Sequence, residues 1–210
     1  MRGWRRTGPA PVDEAAIDEE RMIEAIKGIL VKDGVFAVTP PAVAASIGAS
    51  PARVAAEVDL DALVVESYRA LAVAEVAEVR RTILANPTPA VQMRTLLSWL
   101  AAPPEESDAL RLEVWALSRR SPALRAVVRE HEGAWHGLVS SVIRRGARDG
   151  DFPQTDADEI AALLISIVDG ANNYEFIGYR TQTDRLRLLT RVVQAELGLT
   201  WGPDLEAALD

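Results

Sequence analysis

Apolar residues along this chain recur at three- and four-residue intervals almost everywhere, and the period-two alternation of strands is nearly absent. From Asp18, a capping residue, Met22, Ile23, Ile26, Ile29 and Leu30 form one stripe that stops at Gly34. A longer run from about Asp59 to Leu84 carries Val64, Tyr68, Leu71, Ala72 and Val79, and Ala85-Asn-Pro-Thr-Pro89 breaks it. The next run holds Val91, Met93, Leu96, Leu97 and Leu100 and ends at Pro103-Pro104. Another spans about Ser107 to Ser118. A turn at Arg119 to Pro122 then opens a long helix ending near Gly150, with Leu124, Val127, Val128, His131, Trp135, Leu138, Val139 and Val142 on one broad stripe. Two more helices follow, about Asp156 to Tyr179 and about Thr183 to Leu197, the last an amphipathic one carrying Leu186, Leu189, Val192 and Val193. The pattern predicts an all-α chain of about nine helices. The expected divisions are a loose arm over 1–17, a small head over 18–67 and a larger bundle over 68–210.

Between the first stripe and the long one lies Val38 to Arg53, which reads as two minimal helices around a tight turn. Thr39 caps one helix, with Pro40 at its first position; Ser50 and Pro51 repeat the device for the second. A hydroxyl oxygen accepts an orphan first-turn amide, and proline loses no hydrogen bond there because it has no N–H. Val43, Ala44 and Ile47 give the first helix an apolar face, and Gly48 permits the positive φ of the turn. Such a pair is a helix-turn-helix, whose second helix usually enters the DNA major groove. Thr39, Ser50, Ala52 and Arg53 are therefore the candidate DNA-contacting residues.

The penultimate helix differs from the rest. Ile160 to Val168 is apolar nearly all round, so more than one side must be covered. It is either a central core helix within the monomer or a helix shared between the bundle core and a second subunit. Ala162, Ser166 and Gly170, four residues apart, allow close helix approach. Leu163, Ile167, Leu189 and Val193 are the expected dimer contacts.

Composition excludes more than it selects. The 210 residues are 49% hydrophobic and 26% charged, which suits a globular chain. There is no cysteine, so disulfides, thiolate metal sites and a cysteine nucleophile are ruled out, and a reducing cytoplasm is the expected setting. No apolar run reaches the ~20 residues that span a bilayer. The N-terminus, with Arg2, Arg5 and Arg6 followed by Pro, Asp and Glu, does not read as a signal peptide. A catalytic reading finds no phosphate loop, no nucleophile elbow and no zinc motif. His131 and His136 sit about 140° apart around a helix and do not converge on a metal. Neither an enzyme nor a metal or cofactor site is expected.

Five tryptophans stand out in a chain with 5% aromatics. Trp99, Trp115 and Trp135 fall on three successive bundle helices, where they serve either as core packing or as the lining of a small-molecule pocket. Asn172, Asn173, Tyr174 and Phe176 interrupt an apolar helix, and Asn172 and Tyr174 join the ligand-site candidates because buried amides require partners. His131 reads better as a satisfied core histidine than as a ligand contact.

Two stretches resemble the tetracycline-repressor (TetR) family of bacterial transcriptional regulators. One is Gly34, Val38-Thr39 and Val43-Ala-Ala-Ser-Ile-Gly-Ala-Ser50; the other runs from Arg119-Arg-Ser-Pro122-Ala-Leu124 through Arg144-Arg-Gly146 and Gly150-Asp-Phe152 to Ile160–Gly170. The second is similar to ligand-binding domains in the subgroup around the choline-responsive repressors. The resemblance implies an all-α homodimer. Its first three helices bind operator DNA, its later helices enclose a small-molecule effector, its last two dimerise, and effector binding alters the separation of the heads. The expected function is a ligand-responsive, DNA-binding repressor with operator DNA and a small-molecule effector as partners. The alternative is a dimeric ligand-binding or protein-interaction module whose helix-turn-helix has lost operator recognition. The alternative arises because the chain departs from the family pattern after Ser50. The usual tyrosine, phenylalanine and lysine are Ala55, Val58 and Asp61, and Arg53 is the one cation of residues 34–64, facing Glu57, Asp59 and Asp61. With a net charge of −8, operator affinity is expected to be weak.

Overall fold

Hydroxyl–proline pairs start four of the helices in the computed structural model, which describes residues 18–102 and 106–199. Thr39 opens α2 (Pro40–Ile47), Ser50 opens α3 (Pro51–Glu57), Thr88 opens α5 (Pro89–Leu100) and Ser121 opens α7 (Pro122–Asp149). In each, the cap oxygen accepts from the amide three residues on and proline sits in the first turn. Carboxylates cap α1 (Glu19–Asp33), α4 (Leu60–Leu84) and α8 (Ala157–Phe176), through Asp18, Asp59 and Asp156. Thr181 and Asp184 form a reciprocal capping box on α9 (Gln182–Leu197), and α6 spans Glu106–Ser118. A single 3₁₀ turn, Val35–Ala37, joins α1 to α2. The described residues are all-α, with nine helices. The expected arm over 1–17 lies outside them.

One boundary moved. The penultimate helix ends at Phe176, three residues before the expected Tyr179. Gly178 turns with φ 68°, and the Tyr179 amide returns to the Tyr174 carbonyl at 2.8 Å, closing the helix end.

Two apolar clusters organise the chain, and α4 and α7 belong to both. The first joins Ile26, Leu30, Val43, Ile47 and Val54 of α1–α3 to Leu63 and Tyr68 of α4, Leu110 and Val114 of α6, and Leu124 and Val127 of α7. The second is built from Val76 and Ile83 of α4, the inner face of α5, Trp135 to Ile143 of α7, and α8 and α9. The packing of the three-helix head thus continues into α6 and the first turns of α7.

A buried arginine closes the far side. Arg185 of α9 is 2% exposed and its Nε lies 3.3 Å from Glu175 Oε1, itself 8% exposed. The guanidinium also donates to Asn172 Oδ1 and to the Ala101 and Ala102 carbonyls, which end α5. One cation therefore ties α5, α8 and α9 together. Replacing Arg185 with Met removes the cation beside the buried Glu175 carboxylate and the donor to the end of α5. The expected loss is about 3–5 kcal/mol, to be read as a lowered midpoint in urea unfolding.

Candidate operator-binding helix and effector cavity

The helix-turn-helix has the geometry its sequence announced. Val43, Ala44 and Ile47 of α2 and Val54 of α3 are buried, and Gly48 sits at φ 72° between the helices. Thr39 and Ser50 both spend their hydroxyl oxygens on cap bonds, to the Ala42 amide at 3.4 Å and the Arg53 amide at 3.2 Å. The outer face of α3 is Pro51, Ala52, Ala55, Ala56 and Glu57, all exposed. Arg53 lies along it with its Nε 3.1 Å from both Glu57 carboxylate oxygens. Across residues 18–64 the basic side chains are Arg21, Lys27, Lys32 and Arg53, against eight Asp and Glu. The scaffold presents a short, alanine-rich helix whose cation is held by its neighbour one turn on.

Where the two apolar clusters meet, the interior becomes polar. His131, 5% exposed, has Nε2 at 3.1 Å from Trp135 Nε1 and at 3.1 Å from Glu75 Oε2, and Nδ1 at 3.5 Å from the Tyr68 hydroxyl. Nε2 therefore accepts from the indole in one tautomer and donates to the carboxylate in the other. Burial pushes the Tyr68 hydroxyl above its ordinary range; Arg111 opposes this, while Glu75 and Glu132 reinforce it. The phenol stays protonated and available to His131. Close by, Arg111 pairs with Asp169 of α8 and lies 5.8 Å from the Trp115 ring centroid. Trp115 Nε1 and Glu132 Oε1 are buried with no hydrogen-bond partner, one donor and one acceptor on facing helices α6 and α7.

Two openings reach this region. A groove of about 250 Å³ runs between α4 and α7, walled by Ala72, Val73, Val76, Val127 and Ala134, with His131 among its lining residues. A void of about 10 Å³, room for one water, lies among Arg111, Trp115, Asp169 and Asn172.

The expected ligand residues have several surroundings. The Trp99 and Trp135 rings lie with centroids 4.8 Å apart, with Trp99 42% exposed on α5, and Trp115 packs against the first cluster and lines the small void. Asn172 is buried and bonded to Arg185, with an edge on the small void. Tyr174 is 47% exposed, faces the outer side of α8 and meets the Tyr179 ring.

The expected dimer residues also divide. Leu163 is 43% exposed and Ile167 half-buried, so α8 has an uncovered outer face. Leu189 and Val193 are fully buried in the monomer's own core and have no surface to offer a partner. On α9 the exposed apolar position is Leu188, one residue round the helix. Leu188 joins Ile167, Gly170, Tyr174 and the arginines 180, 187 and 191 around a crevice of about 410 Å³.

Comparison with known proteins decides the family. Residues 89–197, more than half of the chain, match the profile of the BetI-type transcriptional repressor C-terminal domain. The chain belongs to the TetR family of transcriptional regulators. Solved structures of TetR regulators share the fold. A transcriptional regulator from Saccharomonospora viridis, solved in complex with choline, superposes with TM-score 0.73 at 19% identity, over 85% of this chain and 96% of that one. A TetR regulator from Haloarcula marismortui gives 0.72 at 19%, over 85% and 97%. One from Cytophaga hutchinsonii gives 0.69 at 16%, over 87% and 96%. No curated protein matches the sequence.

As a TetR-family member, the chain is a transcriptional regulator, and the solved structures it resembles are regulators as well. None of the helices among the described residues is long and apolar enough to cross a membrane. The sequence puts His131 on an apolar stripe, and the fold supplies its partners. Trp135, one turn on, was the visible signal; Tyr68 and Glu75 lie more than fifty residues away and only packing brings them in. Replacing His131 with Phe removes the partner of the Trp135 N–H and the Tyr68 hydroxyl without opening a void. A stability loss of about 1–3 kcal/mol is expected, measurable by thermal or chemical unfolding.

Proposed function

We propose that the protein is a cytoplasmic homodimeric repressor whose effector enters between α4 and α7 and whose operator contact centres on Arg53. The observation that carries this reading is the place of the groove. It opens on the polar layer that separates the head's apolar cluster from the body's, so an occupant there bears on both. The walls suit a small ligand with a mostly apolar body, and His131 among them, with Arg69, Arg80 and Glu130 at the rim, supports a polar or charged group on it. The choline held by the S. viridis relative supports a ligand of this size.

The outer face of α8 and α9 supports dimerisation. Leu163, Ile167, Tyr174 and Leu188 expose apolar surface on adjacent helices, and a second copy is the occupant that covers such a face with itself. In this arrangement Leu163 and Ile167 are interface residues, with Leu188 in place of the buried Leu189 and Val193.

The acidic head favours one rival reading, a module whose helix-turn-helix no longer reads DNA. Arg53 is held by Glu57 before any phosphate or base can engage it. An exposed pair of this kind is worth at most about 1 kcal/mol, so DNA displaces Glu57 at small cost. The first turns of α2 and α3, at Thr39, Ser50 and Ala52, bring backbone amides to the phosphates.

Two measurements test the proposal. Sedimentation of the wild type should give twice the 22.8 kDa chain mass, and Leu163→Glu should give monomer or aggregate; a wild-type monomer at micromolar concentration sinks the dimer. In a binding titration at low salt, the dimer should select DNA from upstream of its own gene, and a small apolar cation such as choline should weaken that binding. Arg53→Ala should lose roughly 1–3 kcal/mol per half-site and relax preference at one base. Absence of any sequence preference favours the rival module.

A further inference from the structure

We infer that Glu113 of α6 is the positioning residue that holds the DNA-binding head at a fixed angle to the body. Its Oε2 accepts from the Val35 amide at 2.7 Å, a bond between groups 78 residues apart in sequence. Val35 is the first residue of the 3₁₀ turn that leads from α1 into the helix-turn-helix. The preceding residue, Gly34, has φ 80°, and a β-carbon there would fall 2.5 Å from Glu113 Oε2 and 2.9 Å from Oε1. Glycine is thus required twice, for its backbone angle and for the space the carboxylate occupies.

The directionality of this bond is what gives Glu113 its role. Leu110 and Val114 of α6 pack into the head's apolar cluster, but apolar contact is non-directional and tolerates rotation. A charge-assisted hydrogen bond to a single amide fixes both distance and angle. Two residues earlier, about 200° around the helix, Arg111 pairs with Asp169 of α8, with 17% and 15% of the two side chains exposed. Helix α6 is therefore tied to α8 by one polar contact and to the head by another. A shift of α6 relative to α8 reaches the start of the helix-turn-helix through one carboxylate. The consequence for operator binding rests on the regulator reading above; the bond and its effect on head mobility do not.

The test uses full-length protein without DNA. Hydrogen exchange across residues 35–47 is compared in wild type, Glu113→Ala and Glu113→Gln, the last keeping a carbonyl oxygen able to accept from Val35. Exchange in this segment should rise roughly tenfold or more in Glu113→Ala. It should stay within a few-fold of wild type in Glu113→Gln, and α8 and α9 should be unchanged in both. In wild type the Val35 amide, whose partner is Glu113 Oε2, should itself be protected from exchange, and Glu113→Gln should keep most of that protection. Unchanged exchange in Glu113→Ala overturns the inference. So does equal loosening by Ala and Gln, loosening spread through α8 and α9, or a wild-type Val35 amide that exchanges as fast as an open one. The wild-type protection of Val35 keeps the inference testable even if Glu113→Ala does not fold. Failure of DNA binding alone sinks the regulator reading and leaves this one standing.

Discussion

The pairing of α4 with α7 is the contact on which the rest of the molecule depends. Each helix contributes its first turns to the head's apolar cluster and its later turns to the body's. Between the two, the pair buries Tyr68, His131 and Trp135 in a chain of polar contacts that ends on the half-buried Glu75. Such a layer is costly unless satisfied, since a low local dielectric strengthens each polar bond and raises the penalty for each missing one. The polar seam lies beside the groove between α4 and α7, and His131 Nε2 there accepts from the indole in one tautomer and donates to Glu75 in the other.

The head is economical in chemistry and well specified in geometry. Caps, prolines and Gly48 set its helices locally, while its side chains bring little positive charge to DNA. Counterion release scales with the number of phosphates neutralised, so a head with few cations gains little from it. That places weight on how the head is held. Contacts such as the Glu113–Val35 bond count for more in a protein of this kind than in one with a strongly basic recognition helix.

Arg185 shows the complementary principle in the body. A guanidinium with several partners on three helices pays for its desolvation through directional bonds that apolar packing cannot supply. It fixes the end of α5 against α8 and α9, and so defines which face of those two helices stays outside. The exposed apolar stripe at Leu163, Tyr174 and Leu188 is what that orientation leaves uncovered.

The sequence by itself determined the helices, their order and most of their ends, because caps, first-turn prolines and turn glycines act within a few residues. It determined the helix-turn-helix for the same reason, and the Arg53–Glu57 pairing was visible as a one-turn spacing. Tertiary structure alone decided which of two neighbouring positions on an amphipathic helix faces inward. Leu188 and Leu189 are alike in type and 100° apart, and the packing of α8 against α9 exposes the first and buries the second. It likewise decided that Trp99 and Trp115 point to different neighbours, and that Tyr68, Glu75 and His131 meet. Periodicity records that a face is apolar but not what lies across from it, and contacts between residues far apart in the chain depend on the docking of whole helices.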